Sequence, residues 1–214
     1  GRNGLLPTPR AMELIGPVRE ALEKIDGALQ SGPSFDPAVE QREFRIAAGD
    51  YIEFALLPKL AEHVGKQAPG VVLKVAHLPE AAELPLLLEQ GAIDLAIGAP
   101  LTGVDLCCEP LAEMHFCTLI WKREGLRSKR FPLALYLERP HVVLDPRTHG
   151  GGFIDQLLAT RGHRRRIGAE VQNMLTMPVI AARTGYICNV PKQIASTFAD
   201  AFDLSCHEPP LKLP

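Results

Sequence analysis

The chain has 214 residues, 46% of them hydrophobic and 22% charged, which is enough apolar material for one large or two small globular units and excludes a disordered or fibrous chain. With 23 basic against 25 acidic residues the net charge is −2, so the chain as a whole lacks the basic footprint of a module that grips nucleic acid by its phosphates. No apolar run approaches the about 18 residues of a membrane span, and no leader pattern opens the chain, so the expected place is the cytoplasm, away from any membrane.

The first element is a helix. Thr8 offers a cap for the orphan N–H groups and Pro9 suits the first helical position, so the helix is expected from Pro9 to about Leu29. Its apolar positions Ala11, Ile15, Val18, Leu22, Ile25 and Leu29 are spaced 4, 3, 4, 3, 4, the seam of a coiled coil whose partner is another helix. Gly16-Pro17 is expected to kink it, and an ordinary amphipathic helix packed on its own domain is the alternative. Breaker residues over 31–37 then mark a linker.

Beyond the linker, strand and helix alternate. Strands are expected over 44–48, 71–76 and 93–97, with helices over 51–66, where Pro58 lies inside, and 79–90. Little polar alternation within the strands points to a parallel sheet covered on both faces. Two strand-like runs, 104–111 and 115–121, follow without a helix between them, and the charged loop 122–130 reads as a crossover into a second lobe. The rhythm resumes with strands over 141–144, 167–171, 186–189 and 203–206, helices over 151–161, 175–183 and 192–199, and an extended tail from Pro209 to Pro214.

Candidate chemistry is sparse. The five cysteines, Cys107, Cys108, Cys117, Cys188 and Cys206, lack ligand spacing and read as reduced, buried thiols, and the scattered histidines give no metal site. His149-Gly150-Gly151-Gly152 resembles an oxyanion loop, but no serine sits in a G-x-S-x-G elbow, so a hydrolase is the weakest reading. Main-chain N–H groups at that turn suit a carboxylate instead. Gly49, Asp50 and Tyr51, then His77 and Leu78, then Gly98 and Ala99 follow successive strands, and ligands of open α/β sheets settle in the crevice outside those carboxyl ends. With Thr148, His149, Gly150, Leu175 and Thr176 from the other lobe, they form the candidate ligand-binding set. Taken singly, Asp50 reads as a helix cap and His77 as a satisfied core side chain. Arg161, His163, Arg164, Arg165 and Arg166 read as a solvated helix end.

Several stretches resemble the LysR-type transcriptional regulators, in particular the nodulation and aromatic-catabolism branch. Leu6-Pro7-Thr8-Pro9-Arg10-Ala11-Met12-Glu13-Leu14 is similar to the junction of the winged helix-turn-helix with the linker helix. Phe35-Asp36-Pro37, Phe44-Arg45-Ile46-Ala47 and Leu57-Pro58-Lys59-Leu60 resemble the entry to the effector-binding domain. The most specific stretch is Leu88-Glu89-Gln90-Gly91-Ala92-Ile93-Asp94-Leu95-Ala96-Ile97-Gly98. In the second lobe, Pro140-His141-Val142-Val143, Arg165-Arg166-Ile167, Met177-Pro178-Val179-Ile180-Ala181 and Val190-Pro191-Lys192-Gln193-Ile194-Ala195 also look like this branch.

The resemblance implies a two-lobed α/β domain of the type II periplasmic-binding-protein-like fold behind a dimerisation helix, with no enzymatic activity and no cofactor. Residues 1–8 then correspond to the end of the wing, 9–30 to the linker helix, 31–43 to a hinge and 44–214 to the effector-binding domain. Lobe I covers about 44–118 plus 205–214 and lobe II about 119–204. The implied partners are a small-molecule effector bearing a carboxylate, promoter DNA held by an N-terminal domain outside this chain, and further copies of the chain in a dimer or tetramer. A free-standing solute-binding protein of the same fold is the alternative.

Overall fold

A computed structural model describes residues 8–30, 35–99, 106–147 and 152–213, and the side chains among them other than those of Glu23 and residues 26–30. Helix α1, Pro9–Gln30, begins as its end signals dictate: Thr8 Oγ1 accepts the Ala11 N–H at 3.2 Å, and Pro9 forfeits no hydrogen bond there. The seam is uncovered along most of its length, since Ile15, Val18, Leu22 and Ile25 are between 45% and 55% exposed. Leu29 lies among the residues whose side chains are not described.

Strands β1 (Glu43–Ala48), β2 (Val72–His77) and β3 (Leu95–Ile97) form a parallel sheet in the order β2-β1-β3. Helices α2 (Asp50–Ala55) and α3 (Leu57–Gln67) connect β1 to β2, and α4 (Leu84–Glu89) connects β2 to β3. Asp94 sets the start of β3, its carboxylate accepting the Arg45 N–H at 2.7 Å. Ala47, Leu78, Leu84 and Ile93 make the small core on one side of this sheet.

The remaining strands form a second body. It comprises β4 (Phe116–Trp121), α5 (Leu133–Glu138), β5 (Pro140–Leu144), α6 (Phe153–Ala159), β6 (Arg166–Val171), α7 (Thr176–Thr184), β7 (Cys188–Pro191), α8 (Lys192–Ala201) and β8 (Leu204–His207). Strands β5 and β6 are parallel, whereas β4 lies antiparallel between β7 and β8. Ile187 joins the two groups, donating to the Pro140 carbonyl and accepting from the Val142 N–H, both at 2.9 Å. Because successive strand residues face opposite ways, β4 serves two cores. Leu119 packs with Val142, Ala181, Val190 and Ile194 on one face, and Ile120 packs with Phe131, Tyr136, Leu158 and Ile187 on the other.

Several expectations need correction. The single helix over 51–66 is two helices broken at Leu56: Pro58 has no N–H and its ring crowds the carbonyl four residues back, so it stands in the first turn of α3. The helix expected from Pro79 starts at Leu84, with Pro85 in its first turn. Residues 106–111 form no strand: Pro110 cannot donate to a ladder, and Cys107, Cys108 and Leu111 are exposed, while Val104 and Asp105 lie outside the described residues. The helix over 151–161 is the shorter α6, and the strand over 186–189 is β7, two residues later. Helix α5 was not foreseen. The all-parallel sheet holds for β1 to β3 and for β5 with β6 only. The extended C-terminal segment packs on the fold, where Leu211, 5% exposed, closes the core around Phe131 and Leu158. All five thiols are free, but only Cys117 and Cys188 are buried.

Candidate functional site

The three parallel strands end in register: Ala48 stands beside His77 on one side and beside Ile97 on the other. Gly49, Leu78 and Gly98 therefore leave the sheet along one edge, as the strand ends require. The three loops do not contribute alike. His77 is exposed rather than a satisfied core residue, and Leu78 turns into the small core against Gly98, where an added Cβ would come within 2.7 Å of its methyl group. Gly98 and Ala99 are exposed. Tyr51 reaches across to the core around Leu119 and Val142, and burial raises the pKa of its phenol above the usual value.

Asp50 does not cap its own helix, for which Gly49 holds the N-cap position. Its Oδ2 instead accepts the Leu175 N–H at 2.8 Å, from 125 residues away, at the start of α7. Leu175 is the N-cap residue of that helix and Thr176 its first residue. The structure thus brings Asp50 and Leu175 together, and places Thr176 beside them, exposed.

Thr148, His149 and Gly150 lie outside the described residues, but both ends of their loop are defined. Asp145 is buried at the end of β5, where its carboxylate accepts the Arg147 N–H at 2.9 Å and the guanidinium at 2.6 Å. These bonds hold its pKa below the usual carboxylate range. At the other end Gly152, at φ +78°, precedes α6 and abuts Pro146, a conformation that side-chain-bearing residues rarely adopt.

Between these ends lies a small cavity of about 30 Å³. Phe116, Leu144, Phe153, Met174 and Met177 supply apolar lining, and the Phe116 and Phe153 rings meet at 5.4 Å. Two polar side chains share the wall, Arg165 and Asn189. Asn189 is 5% exposed and fixed on both sides: the Thr118 hydroxyl donates to its Oδ1 at 2.8 Å, and its Nδ2 donates to the Tyr136 hydroxyl at 2.8 Å. Arg165 donates from Nε and from a terminal nitrogen to the two Asp155 oxygens, each at 2.7 Å. A buried guanidinium needs such a bidentate partner. Arg165 is therefore no part of a solvated helix end, for its side chain is 5% exposed. The sequence reading missed Phe116, Phe153, Met174, Arg165 and Asn189. Asn189 left one signal, as a lone amide in an otherwise apolar strand.

Two α/β bodies that meet where strand ends face a helix start, beside a cavity with few polar groups, define a ligand-binding domain of the type II periplasmic-binding-protein-like class. The comparisons agree. The family described as LysR substrate binding domain matches residues 37–213. The chain is 30% identical over 212 residues to the HTH-type transcriptional activator NahR of Pseudomonas putida, covering 99% of this chain and 70% of that protein. It is 31% identical over 216 residues to nodulation protein D 1 of Bradyrhizobium elkanii, covering 98% of this chain and 67% of that protein. Among solved structures, the probable transcriptional regulator PA0477 from Pseudomonas aeruginosa aligns over 99% of this chain and 71% of its own, at a TM-score of 0.78 and 29% identity. The chain belongs to the LysR family of transcriptional regulators, of which it is the effector-binding domain, a regulatory unit and not an enzyme.

Proposed function

We propose that this domain binds a small carboxylate-bearing effector between its two bodies and relays that event, through a helix-mediated homo-oligomer, to promoter DNA. The meeting of the first sheet's strand ends with the start of α7 carries the reading, and beside it the second body holds a small cavity whose lining is apolar and aromatic except for a buried guanidinium and a buried amide, fixed polar groups that orient a ligand. In this proposal Thr148, His149 and Gly150, which lie outside the described residues, contribute to the same site. Gly49, Tyr51, His77, Gly98, Ala99 and Thr176 border the ligand from the facing edges. The names of the relatives, an HTH-type activator among them, support a DNA-reading domain elsewhere in the whole protein and a cytoplasmic site of action. Among the described residues no helix is long and apolar enough to cross a membrane. The exposed seam of α1 supports the oligomer, since each of its larger side chains gains about 1.5–3 kcal/mol on full burial.

Calorimetric titration with a panel of small aromatic and aliphatic acids tests the site. Some member of the panel should release heat at a stoichiometry of one per chain. Met174→Trp, which fills the cavity, should abolish the signal, and Arg165→Gln and His149→Ala should weaken it at least tenfold. No heat from any acid, or binding indifferent to all three substitutions, overturns the assignment.

A further inference from the structure

Helix α7 begins without a side-chain cap of its own, although the Thr176 and Met177 N–H groups donate to the Asn173 and Met174 carbonyls. Its N-cap residue is Leu175, whose side chain accepts no hydrogen bond, and its first turn holds no acidic residue. A helix start exposes N–H groups and a partial positive charge, and leucine is among the worst residues to leave there. The missing acceptor arrives from the other body of the molecule, as the Asp50 carboxylate on α2, 2.8 Å from the Leu175 N–H. Helix α2 makes two further contacts in the same direction. Tyr51 packs against the core around Leu119 and Val142, and the Phe54 ring meets Phe198 of α8 at 6.0 Å, with Phe202 stacked behind it at 5.8 Å. Asp50, Tyr51 and Phe54 are thus one polar and two aromatic anchors on a helix of six residues.

We propose that Asp50 is an interbody latch: its carboxylate accepts the Leu175 N–H at the start of α7 across the cleft and so holds the first sheet closed on the second body. The apolar contacts of Tyr51 and Phe54 give this closure area, while the single directional bond gives it a register, since the carboxylate meets that N–H in one relative placement of the two bodies. The position suits a latch better than a structural cap. A cap supplied by residue 175 itself would stay in place whatever the bodies did, whereas this one is made only when they approach. The carboxylate also occupies the place at the start of α7 where an external anion would be drawn, so opening and closing of the domain act directly on that helix end.

The test uses the chain without effector and is therefore independent of the ligand assigned above. Amide hydrogen exchange followed by NMR reads the bond, and small-angle scattering in line with a sizing column, comparing species of equal mass, reads the separation of the bodies. In Asp50→Ala the Leu175 amide should exchange at least tenfold faster and the radius of gyration should increase, with Asp50→Asn intermediate on both measures. Leu175→Pro removes the donor from the other side at a residue whose φ is already −65°, the value a proline ring imposes, so it should open the domain while α7 stays formed. The double variant Asp50→Ala with Leu175→Pro should be no more open than either single variant. If Asp50→Ala does not fold, Asp50→Asn and Leu175→Pro carry the test. Unchanged protection of Leu175, faster exchange without any change in scattering, or additive opening in the double variant each overturns the latch.

Discussion

His141 sits in the second core with no exposed surface, a buried imidazole on β5. Its Nε2 lies 2.6 Å from the Tyr136 carbonyl, which only accepts, so that nitrogen carries the proton and Nδ1 is left bare and buried without a partner. Charging the ring would add a second N–H with no acceptor, and burial accordingly brings the pKa down to about 4 from the ordinary 6.5. The unfolded chain takes up this proton below about 6.5 while the fold refuses it until about 4, so stability falls with pH across that window and levels off below it. About 1.4 kcal/mol per pH unit makes the loss about 3 kcal/mol. Urea unfolding at pH 7 and pH 4.5 should show this decline, and His141→Phe should flatten it whatever that variant's stability at pH 7. An equal slope in both proteins would refute the argument. A second residue-scale constraint is Gly185, which follows α7 at φ +76° with the Trp121 ring so close that an added Cβ would lie 2.6 Å from it. Gly185→Ala combines a strained backbone with a clash against a ring anchored by its own N–H to the Ala182 carbonyl, and a loss of about 2–4 kcal/mol is expected in the same unfolding assay.

Among the elements, those that the sequence made plain are the ones whose local signals agree with their packing. Helix α1 begins at Thr8 and Pro9 because cap and proline act within one turn, and β1, β2 and β3 each stop within two residues of a glycine or proline. The failures share a cause, which is that a partner distant in sequence decides the outcome. Residues 106–111 look like a strand but pair with nothing described, whereas β7 shifts two residues because Ile187 is spent on the bridge to β5. Arg165 looks like one more cation in a basic run until Asp155, on the preceding helix, withdraws it into the wall of the cavity. The candidate site divides in the same way. Loop ends after the parallel strands were legible because topology places them, but the lining from Phe116, Met174 and Asn189 depends on how two groups of strands meet. Helix α1 carries the prediction at this scale. Val18→Glu with Leu22→Glu places charge on the seam without touching the domain, and light scattering behind a sizing column should show the mass per particle falling to that of one chain. An unchanged mass would remove the helix from the oligomer interface.

For the whole molecule, the decisive feature is the unequal origin of its two bodies. The first sheet is assembled from a continuous stretch, with β1 paired to both β2 and β3, which follow it. The second depends on β4, which precedes α5, β5, α6, β6 and α7 in the chain yet forms its strand ladders with β7 and β8 beyond them. Thr118 pairs with Asn189 on one side and with His207 on the other. During synthesis the first body has all its described strands as soon as β3 has left the ribosome, whereas the apolar strand Phe-Cys-Thr-Leu-Ile-Trp must wait, both edges open, until nearly all of the remaining chain has emerged. An unpaired strand of that composition invites pairing with a neighbouring nascent copy. The maturation of this regulator is thus exposed to aggregation at one interval, between translation of Trp121 and of His207, and it is over that interval that a cell's holdase chaperones have something to protect.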